Sequence, residues 1–256
     1  MQLTVIGAGP AYTNRRGSVG SSYLVRAEGP ALLLDLGQGA FPNLASTIEP
    51  STLVAVVVTH LHPDHFVDLV PLRHYLRFEF EPSRRVAVIG PTDLGTRLDA
   101  LHGTAGWTAS SFDISTLAEG VRRVGPFEVE ARRVLHSGDS FALRVSVAGG
   151  SGAGSGTPGP GLVYSGDCGR ADDLLPLIRP GDTLLADASF GAGPMPVEDM
   201  HLTTAEAARA AAAGRVARLL LTHIQMGYSR PDALAAAQAV FAGPIRFVVE
   251  GDELKV

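Results

Sequence analysis

The segment 59–65, with the sequence THLHPDH, places three histidines and an aspartate directly behind an apolar run. The run 53–58 reads LVAVVV, which predicts a buried strand. His60, His62, Asp64 and His65 therefore begin where the strand ends, at the edge of a sheet. Imidazole and carboxylate donors together favour zinc or a similar ion. The segment predicts half of a site for two metal ions.

Composition is compatible with one globular unit and gives no internal domain boundary. The chain has 256 residues, of which 45% are hydrophobic, enough for a substantial core. A single cysteine, Cys168, excludes an internal disulfide framework and a cysteine-rich zinc site. No signal peptide or membrane-spanning run is visible, so we predict a cytoplasmic protein without a membrane partner.

The charge of the chain argues against a long polyanion as the partner. The formal net charge is −5, and Lys255 is the only lysine among the 21 basic residues. A nucleic-acid binder is expected to present a dense basic surface instead.

The sequence predicts strands and helices that alternate along the chain. Early strands are expected at 3–7, 22–25 and 31–35, followed by a helix over 64–78 that Pro71 could kink. Later helices are expected at 93–102, 170–178, 204–213 and 231–241. The later strands are predicted at 85–89, near 112, and at 127–134, 141–147, 162–165, 183–186 and 216–221. The glycine-rich segment 149–161 predicts a flexible loop between two strands of a hairpin.

Four apolar strands end in a residue that can bind metal. These strand ends carry His60, His136, Asp167 and His223. If the strands lie side by side, their ends converge on one pocket, where a carboxylate such as Asp167 can bridge two ions. Taken singly, a histidine such as His136 or His223 is more often an ordinary histidine than a ligand, and an aspartate such as Asp167 is more often a turn residue.

The pattern H-x-H-x-D-H, with His136, the sequence Ser165-Gly166-Asp167 and Leu221-Thr222-His223, resembles the metallo-β-lactamase superfamily over essentially the whole chain. The resemblance implies an α/β fold, a four-layer αββα sandwich formed by a single domain over residues 1–256. It implies two Zn2+ ions, with Mn2+ or Fe2+ as alternatives. The implied ligands are His60, His62, His136 and Asp167 for one ion, and Asp64, His65, Asp167 and His223 for the other. Asp35 resembles an Asp-x-Gly aspartate that supports the ligands, although a turn aspartate fits equally well.

His201 directs the resemblance to one branch of the superfamily. The sequence DMHLT at 199–203 resembles the His-Ser/Leu-Thr motif of ribonuclease Z-like phosphodiesterases. This implies that His201 is catalytic, as a general acid or phosphate-stabilising group, rather than a ligand. A plain loop histidine before a helix capped by Thr203 or Thr204 is the alternative.

The function implied is hydrolysis of a phosphodiester by a metal-bridging hydroxide, with Asp64 orienting or deprotonating the water. A small substrate such as a cyclic nucleotide is preferred, because the loop 149–161 contains no Lys or Arg to grip tRNA. A ribonuclease Z-type tRNA 3′-endonuclease is the alternative, followed by a lactonase or another carbon-ester or amide hydrolase. The region 66–80 is the predicted contact of a homodimer, by analogy with the branch.

Overall fold

The structure is a computed structural model that describes residues 1–149, 159–196 and 200–256. Within these ranges two mixed sheets of seven strands form. The first sheet has the order β14-β1-β2-β3-β4-β5-β6, with β1 Gln2–Gly7, β2 Ser22–Arg26, β3 Ala31–Leu34, β4 Ala55–Val57, β5 Val86–Gly90, β6 Phe112–Thr116 and β14 Glu253–Lys255. The second has the order β13-β12-β11-β10-β9-β8-β7, with β7 Gly120–Val124, β8 Phe127–Arg133, β9 Phe141–Val147, β10 Leu162–Tyr164, β11 Thr183–Asp187, β12 Arg218–Thr222 and β13 Ile245–Phe247.

Helices cover the outer face of each sheet. The first sheet carries α1 Phe41–Thr47, α2 Pro63–Phe66, α3 Leu69–Phe78 and α4 Leu94–His102, and the second carries α5 Thr204–Gly214 and α6 Arg230–Gln238. One buried cluster lies between the sheets, and a further cluster lies under each helical layer. Strands with buried side chains on both faces, such as β3 and β4, need this double cover. The αββα sandwich predicted from the sequence is confirmed.

Parallel pairing places the ends of the important strands at one edge. Strands β3 to β6 are parallel neighbours in the first sheet, as are β10 to β13 in the second. The carboxyl ends of parallel strands lie on the same side of a sheet, where ligand sites of such sheets usually form. Phe141 N donates to Thr59 O at 3.2 Å and so ties the two sheets together at this edge.

The predicted helix over 64–78 is wrong as a single helix. It divides into α2 and α3, because the backbone between them bonds to Leu36: Leu36 N donates to His65 O at 2.8 Å, and Asp68 N donates to Leu36 O at 3.1 Å. Pro71 does not kink α3. It lies in the first turn, where a missing N–H costs little.

The predicted helix over 170–178 is also wrong. Only a short 3-10 turn, Ala171–Leu174, forms there. Pro176 follows closely and has no N–H to donate, so the hydrogen-bonded turn cannot continue past Leu175.

Among the described α-helices and strands, α1, β7, β13 and β14 match none of the predicted ranges. Strand β7 shows the reason, because four of its five residues are exposed and give no apolar pattern. It forms by pairing with β8 at the edge of the second sheet.

The hairpin around the glycine-rich segment is confirmed, since β9 and β10 pair antiparallel. Residues 150–158 of the predicted loop 149–161 lie outside the described residues, as does Asp199 of the DMHLT sequence. In the described part of the chain, no helix is both long and apolar enough to cross a membrane. The assignment of residues 1–256 to one domain and the cytoplasmic location stay predictions.

Candidate metal centre

The histidine-rich loop leaves β4 in an extended conformation and turns at once into α2. His62 precedes the helix with φ −82° and ψ 142°, and Pro63 begins it, a position that suits the fixed φ of proline. Asp64 and His65 lie in the first turn of α2 and are buried. The turn therefore directs the side chains of Asp64 and His65 away from those of His60 and His62, which lie in the extended part of the loop.

Three further strand ends complete the centre. His136 follows β8, Asp167 follows β10 and His223 follows β12. The structure brings all seven predicted metal ligands together in two overlapping sets of four donors. Each set places one donor atom per residue within 4.8 Å of the others.

The first set consists of His60, His62, His136 and Asp167. Asp167 Oδ2 lies 3.6 Å from both His60 Nε2 and His136 Nε2. His62 Nδ1 lies 3.2 Å from His136 Nε2. Four donors placed about 2.1 Å from a tetrahedral ion are separated by about 3.4 Å, so this spacing fits a metal such as zinc.

The second set consists of Asp64, His65, Asp167 and His223. Asp167 Oδ1 lies 3.2 Å from His65 Nε2 and 3.5 Å from His223 Nε2. His223 Nε2 lies 3.0 Å from Asp64 Oδ2. Asp167 therefore presents one oxygen to each set, which is the arrangement that a bridging carboxylate requires.

The ring nitrogens that do not face these sets have other acceptors. His65 Nδ1 lies 2.7 Å from Asp35 Oδ2, His136 Nδ1 2.8 Å from Met200 O, and His223 Nδ1 2.9 Å from Ser189 Oγ. His62 Nε2 lies 2.7 Å from Ser137 Oγ, and His60 Nδ1 3.1 Å from Thr59 Oγ1. When each of these nitrogens carries the proton, the other nitrogen is left to bind metal.

His60 Nε2 gives a separate indication of a missing partner. It is buried and has no hydrogen-bond partner among the described residues. Burial and the neighbouring His65 lower the pKa of His60 well below its usual value, so the ring is neutral. A buried, neutral and unpartnered imidazole nitrogen fits a metal ligand.

Asp167 supplies negative charge at the centre. Burial favours its neutral form, but His223 and His65 outweigh burial and hold the pKa of this carboxyl well below its usual value. The donor set thus combines an ionised carboxylate with imidazoles, the mixture that borderline divalent ions prefer.

Asp35 supports the candidate metal centre through hydrogen bonds, the role that the Asp-x-Gly resemblance implies. Its side chain is fully buried, and it accepts hydrogen bonds from Thr59 N at 2.7 Å, Thr59 Oγ1 at 2.8 Å and Tyr164 Oη at 2.9 Å. The glycine of the motif, Gly37, packs against Asp64, because an added Cβ would lie 1.9 Å from Asp64 O. Any larger residue at position 37 would displace Asp64.

His201 lies beside the two sets without belonging to either. Its ring stacks on His223 at 5.6 Å and meets His136 edge-on at 4.9 Å. His201 Nδ1 donates to Asp187 Oδ2 at 2.9 Å. Burial disfavours a charge on His201, but Asp187 outweighs burial and raises its pKa to about 9. The side chain is 17% exposed, more than the buried candidate ligands His60 and His65.

Sequence reasoning missed Asp187 and Ser189. Asp187 is the last residue of β11, and its carboxylate accepts from Ser189 Oγ at 2.6 Å as well as from His201. Asp187, His201 and His223 form a third candidate cluster, but these hydrogen bonds favour a supporting role for Asp187. The sequence did contain a signal for Asp187, because this residue is also a possible metal donor at the end of a strand. It was missed because the predicted strand ended one residue earlier.

Cys168 follows the bridging aspartate but packs away from solvent. Its side chain is fully buried, and its Sγ donates to Arg170 O at 3.2 Å. Burial raises the pKa of the thiol to about 12. The residue therefore behaves as a small packing residue.

The fold and the donor sets define a class of metal-dependent hydrolases. The profile of the beta-lactamase superfamily domain matches residues 33–224, a range that contains every predicted ligand, and the chain belongs to this superfamily.

Relatives and solved structures agree with this assignment. Rv1339 of Mycobacterium tuberculosis (strain ATCC 25618 / H37Rv) is 34% identical over 263 residues, which cover 100% of this chain and 92% of that protein. Ribonuclease Z of Metallosphaera sedula is 26% identical over 286 residues, covering 98% and 97%. The crystal structure of the metallo-beta-lactamase fold protein YhfI from Bacillus subtilis matches with a TM-score of 0.84 and 21% identity, over 99% of each chain. A diphosphatase of the PhnP family matches with a TM-score of 0.75 and 17% identity, over 100% and 97%.

Proposed function

We propose that this hydrolase is a two-metal phosphodiesterase that acts on a small phosphodiester such as a cyclic nucleotide. The observation that carries the proposal is the position of His201. Asp187 holds this imidazole at the margin of both donor sets, where it can reach a substrate bound between them. A phosphodiester develops negative charge on several oxygens during hydrolysis, and a protonated imidazole beside the two donor sets can stabilise that charge.

The two donor sets are the proposed holders of two divalent ions, Zn2+ first, with Mn2+ or Fe2+ as alternatives. The donor chemistry and the spacing support this assignment. Bound divalent ions supply Lewis-acid stabilisation of phosphate oxygens and lower the pKa of a water molecule.

His201 and Asp64 are the proposed catalytic residues. Asp187 orients His201 through its Nδ1, so that the imidazole can donate a proton to the leaving oxygen or stabilise charge on the phosphate. Burial raises the pKa of Asp64, but the nearby His223, whose Nε2 lies 3.0 Å from Asp64 Oδ2, outweighs burial together with His65 and lowers the pKa below its usual value. Asp64 is therefore an ionised carboxylate that can orient the attacking water or accept its proton.

We prefer a small substrate to tRNA because the charge of this chain does not favour binding of a polyanion. The interval between β9 and β10 contains no Lys or Arg from 148 to 161, and the whole chain has a formal net charge of −5. Ribonuclease Z activity stays the second candidate, supported by the relative of that name in Metallosphaera sedula. A lactonase or another carbon-centred hydrolase is the third, on the fold alone. We also propose a homodimer contact over residues 66–80, a single domain over residues 1–256 and a cytoplasmic location.

A substrate panel on metal-loaded protein tests the proposal. It contains bis(p-nitrophenyl) phosphate, 2′,3′- and 3′,5′-cyclic nucleotides, precursor tRNA, an acyl lactone and a cephalosporin. We expect turnover of the small phosphodiesters. Cleavage of precursor tRNA alone would select the second candidate, and turnover of lactone or cephalosporin without any phosphodiester cleavage would reject the proposal.

A further inference from the structure

Two adjoining cavities lie beside the candidate ligand His62, between the histidine-rich loop and α4. The first, of about 270 Å3, is lined by the ligand His62 and its partner Ser137. The second, of about 380 Å3, lies beyond it. Leu61 and Arg97 line both cavities, so the two cavities adjoin at these residues, and the pair is here called the Arg97 groove. Volumes of this order are typical of small-molecule sites.

The half of the groove next to the centre is polar and carries carboxylates. Thr92, Asp93 and Asp139 line it together with Ser137. Asp139 is paired with Arg133, whereas the side chain of Asp93 has no hydrogen bond or ion pair within the described residues. Carboxylates and hydroxyls both accept hydrogen bonds from hydroxyl groups, and the negatively charged carboxylates also repel phosphates.

The far half of the groove is apolar. Pro63, Phe66, Val67, Ala100 and Leu101 line it. Leu101 is 56% exposed, although leucine is ordinarily buried. A recess of this kind suits a flat, largely apolar ring.

Arg97 lies where the two halves meet. It is exposed, and its guanidinium has no ion pair or hydrogen bond with the described part of the chain, so it is available to a ligand. A guanidinium can stack on a planar ring and donate to its edge acceptors.

We infer that the Arg97 groove binds the nucleoside part of the substrate, with the ribose hydroxyls at Asp93 and the base in the apolar recess against Arg97. This inference rests on the proposed phosphodiesterase function and narrows its substrate to nucleotides. The sequence of chemistry along the groove, from metal donors through hydroxyl acceptors to an apolar recess, matches the order phosphate, ribose, base. A polynucleotide threaded along the same path would place phosphates against Asp93 and Asp139, which disfavours RNA here.

The test compares two probes on the metal-loaded protein by isothermal titration calorimetry: adenosine 5′-monophosphate, which has a nucleoside, and inorganic phosphate, which does not. The variants are Arg97→Ala and Leu101→Asp, each at an exposed position. The control is Arg77→Ala, an exposed arginine of α3 that lines neither cavity.

We expect the wild-type protein to bind the nucleotide more tightly than inorganic phosphate. Both groove variants should weaken nucleotide binding by about tenfold, with phosphate binding unchanged, and Arg77→Ala should change neither. Equal affinity of the wild-type protein for the two probes, or unchanged nucleotide affinity in both variants, would overturn the inference. If the variants lose the nucleotide selectively while the wild-type protein cleaves no phosphodiester, the groove is supported and only the proposed reaction fails.

Discussion

Asp167 belongs to both donor sets, whereas His201 belongs to neither. Different single residues at this centre therefore have different proposed roles. Asp167 Oδ2 faces His60 and His136, while its Oδ1 faces His65 and His223. His201 Nδ1 is hydrogen-bonded to Asp187, which belongs to neither donor set, and the His201 ring packs against His136 and His223. The proposed catalytic role of His201 can therefore be tested by substitution without removing a proposed ligand.

Replacement of His201 by alanine should leave the metal content unchanged and lower kcat for a phosphodiester. A positioned acid or base contributes about 10²- to 10⁴-fold, so a loss in this range is expected. Metal content is measured by inductively coupled plasma mass spectrometry and turnover with bis(p-nitrophenyl) phosphate. His102→Ala, which removes an exposed imidazole at the end of α4, is the matched control. Loss of metal in the His201 variant would show that this residue is a ligand instead.

Arg15 is a positioning residue for His223. Its Nη2 donates to Ile224 O at 2.9 Å and to Gln225 O at 3.3 Å, directly after the ligand. His223 itself has φ 63°, in the left-handed region that a histidine seldom adopts, and its N donates to Ala8 O at 3.1 Å. The N-terminal loop thus holds a strained candidate ligand in place.

Arg15→Ala should weaken metal binding at the second set alone. Loss of a residue that orients a ligand costs about 10- to 100-fold in affinity, so one of two ions should dissociate more easily. Titration with a competing chelator measures this, and the neighbouring exposed Arg16→Ala is the control. Two ions held with wild-type affinity in Arg15→Ala would contradict this role.

At the level of elements, a simple rule made most of the centre predictable. An apolar strand that ends in a metal-competent residue identified His60, His136, Asp167 and His223 from sequence, and Asp187 follows the same rule. The structure brings these ends together, although their ligand roles stay predictions. Arg15 could not be found in this way, because its partner Ile224 is 209 residues away and a backbone carbonyl carries no sequence signal.

A buried ion pair stabilises the second sheet at the end opposite the candidate metal centre. Arg144 Nε and Nη2 bind both oxygens of Asp182 at 2.8 and 2.9 Å, and Gly161 N also donates to Asp182 at 2.7 Å. Both side chains are almost fully buried. The pair anchors β9 and the start of β11 where the glycine-rich segment returns to the sheet.

Arg144→Ala should lower the free energy of unfolding by about 3–5 kcal/mol, because it leaves Asp182 buried without its counter-charge. Urea unfolding followed by circular dichroism provides the measurement. Arg209→Ala, which breaks an exposed pair with Glu206 on α5, should cost about 1 kcal/mol or less. Equal losses in the two variants would show that burial of the pair does not matter.

On the scale of the whole molecule, each sheet contributes part of the centre. The first supplies His60, His62, Asp64 and His65, and the second supplies His136, Asp167 and His223. The αββα class was predictable because the ligand pattern resembles a known superfamily. The edge strands and the division of α2 from α3 were not, since they depend on pairing and on contacts with Leu36 rather than on local pattern.

The most direct test of the two-metal phosphodiesterase is a titration of metal-free protein with Zn2+, with metal binding and turnover of a 3′,5′-cyclic nucleotide recorded on the same samples. We predict two equivalents bound per chain, with turnover appearing as the second equivalent binds. Saturation at one equivalent would contradict the two-set centre. Two equivalents bound with no cleavage of any phosphodiester, alongside turnover of a lactone, would contradict the proposed reaction.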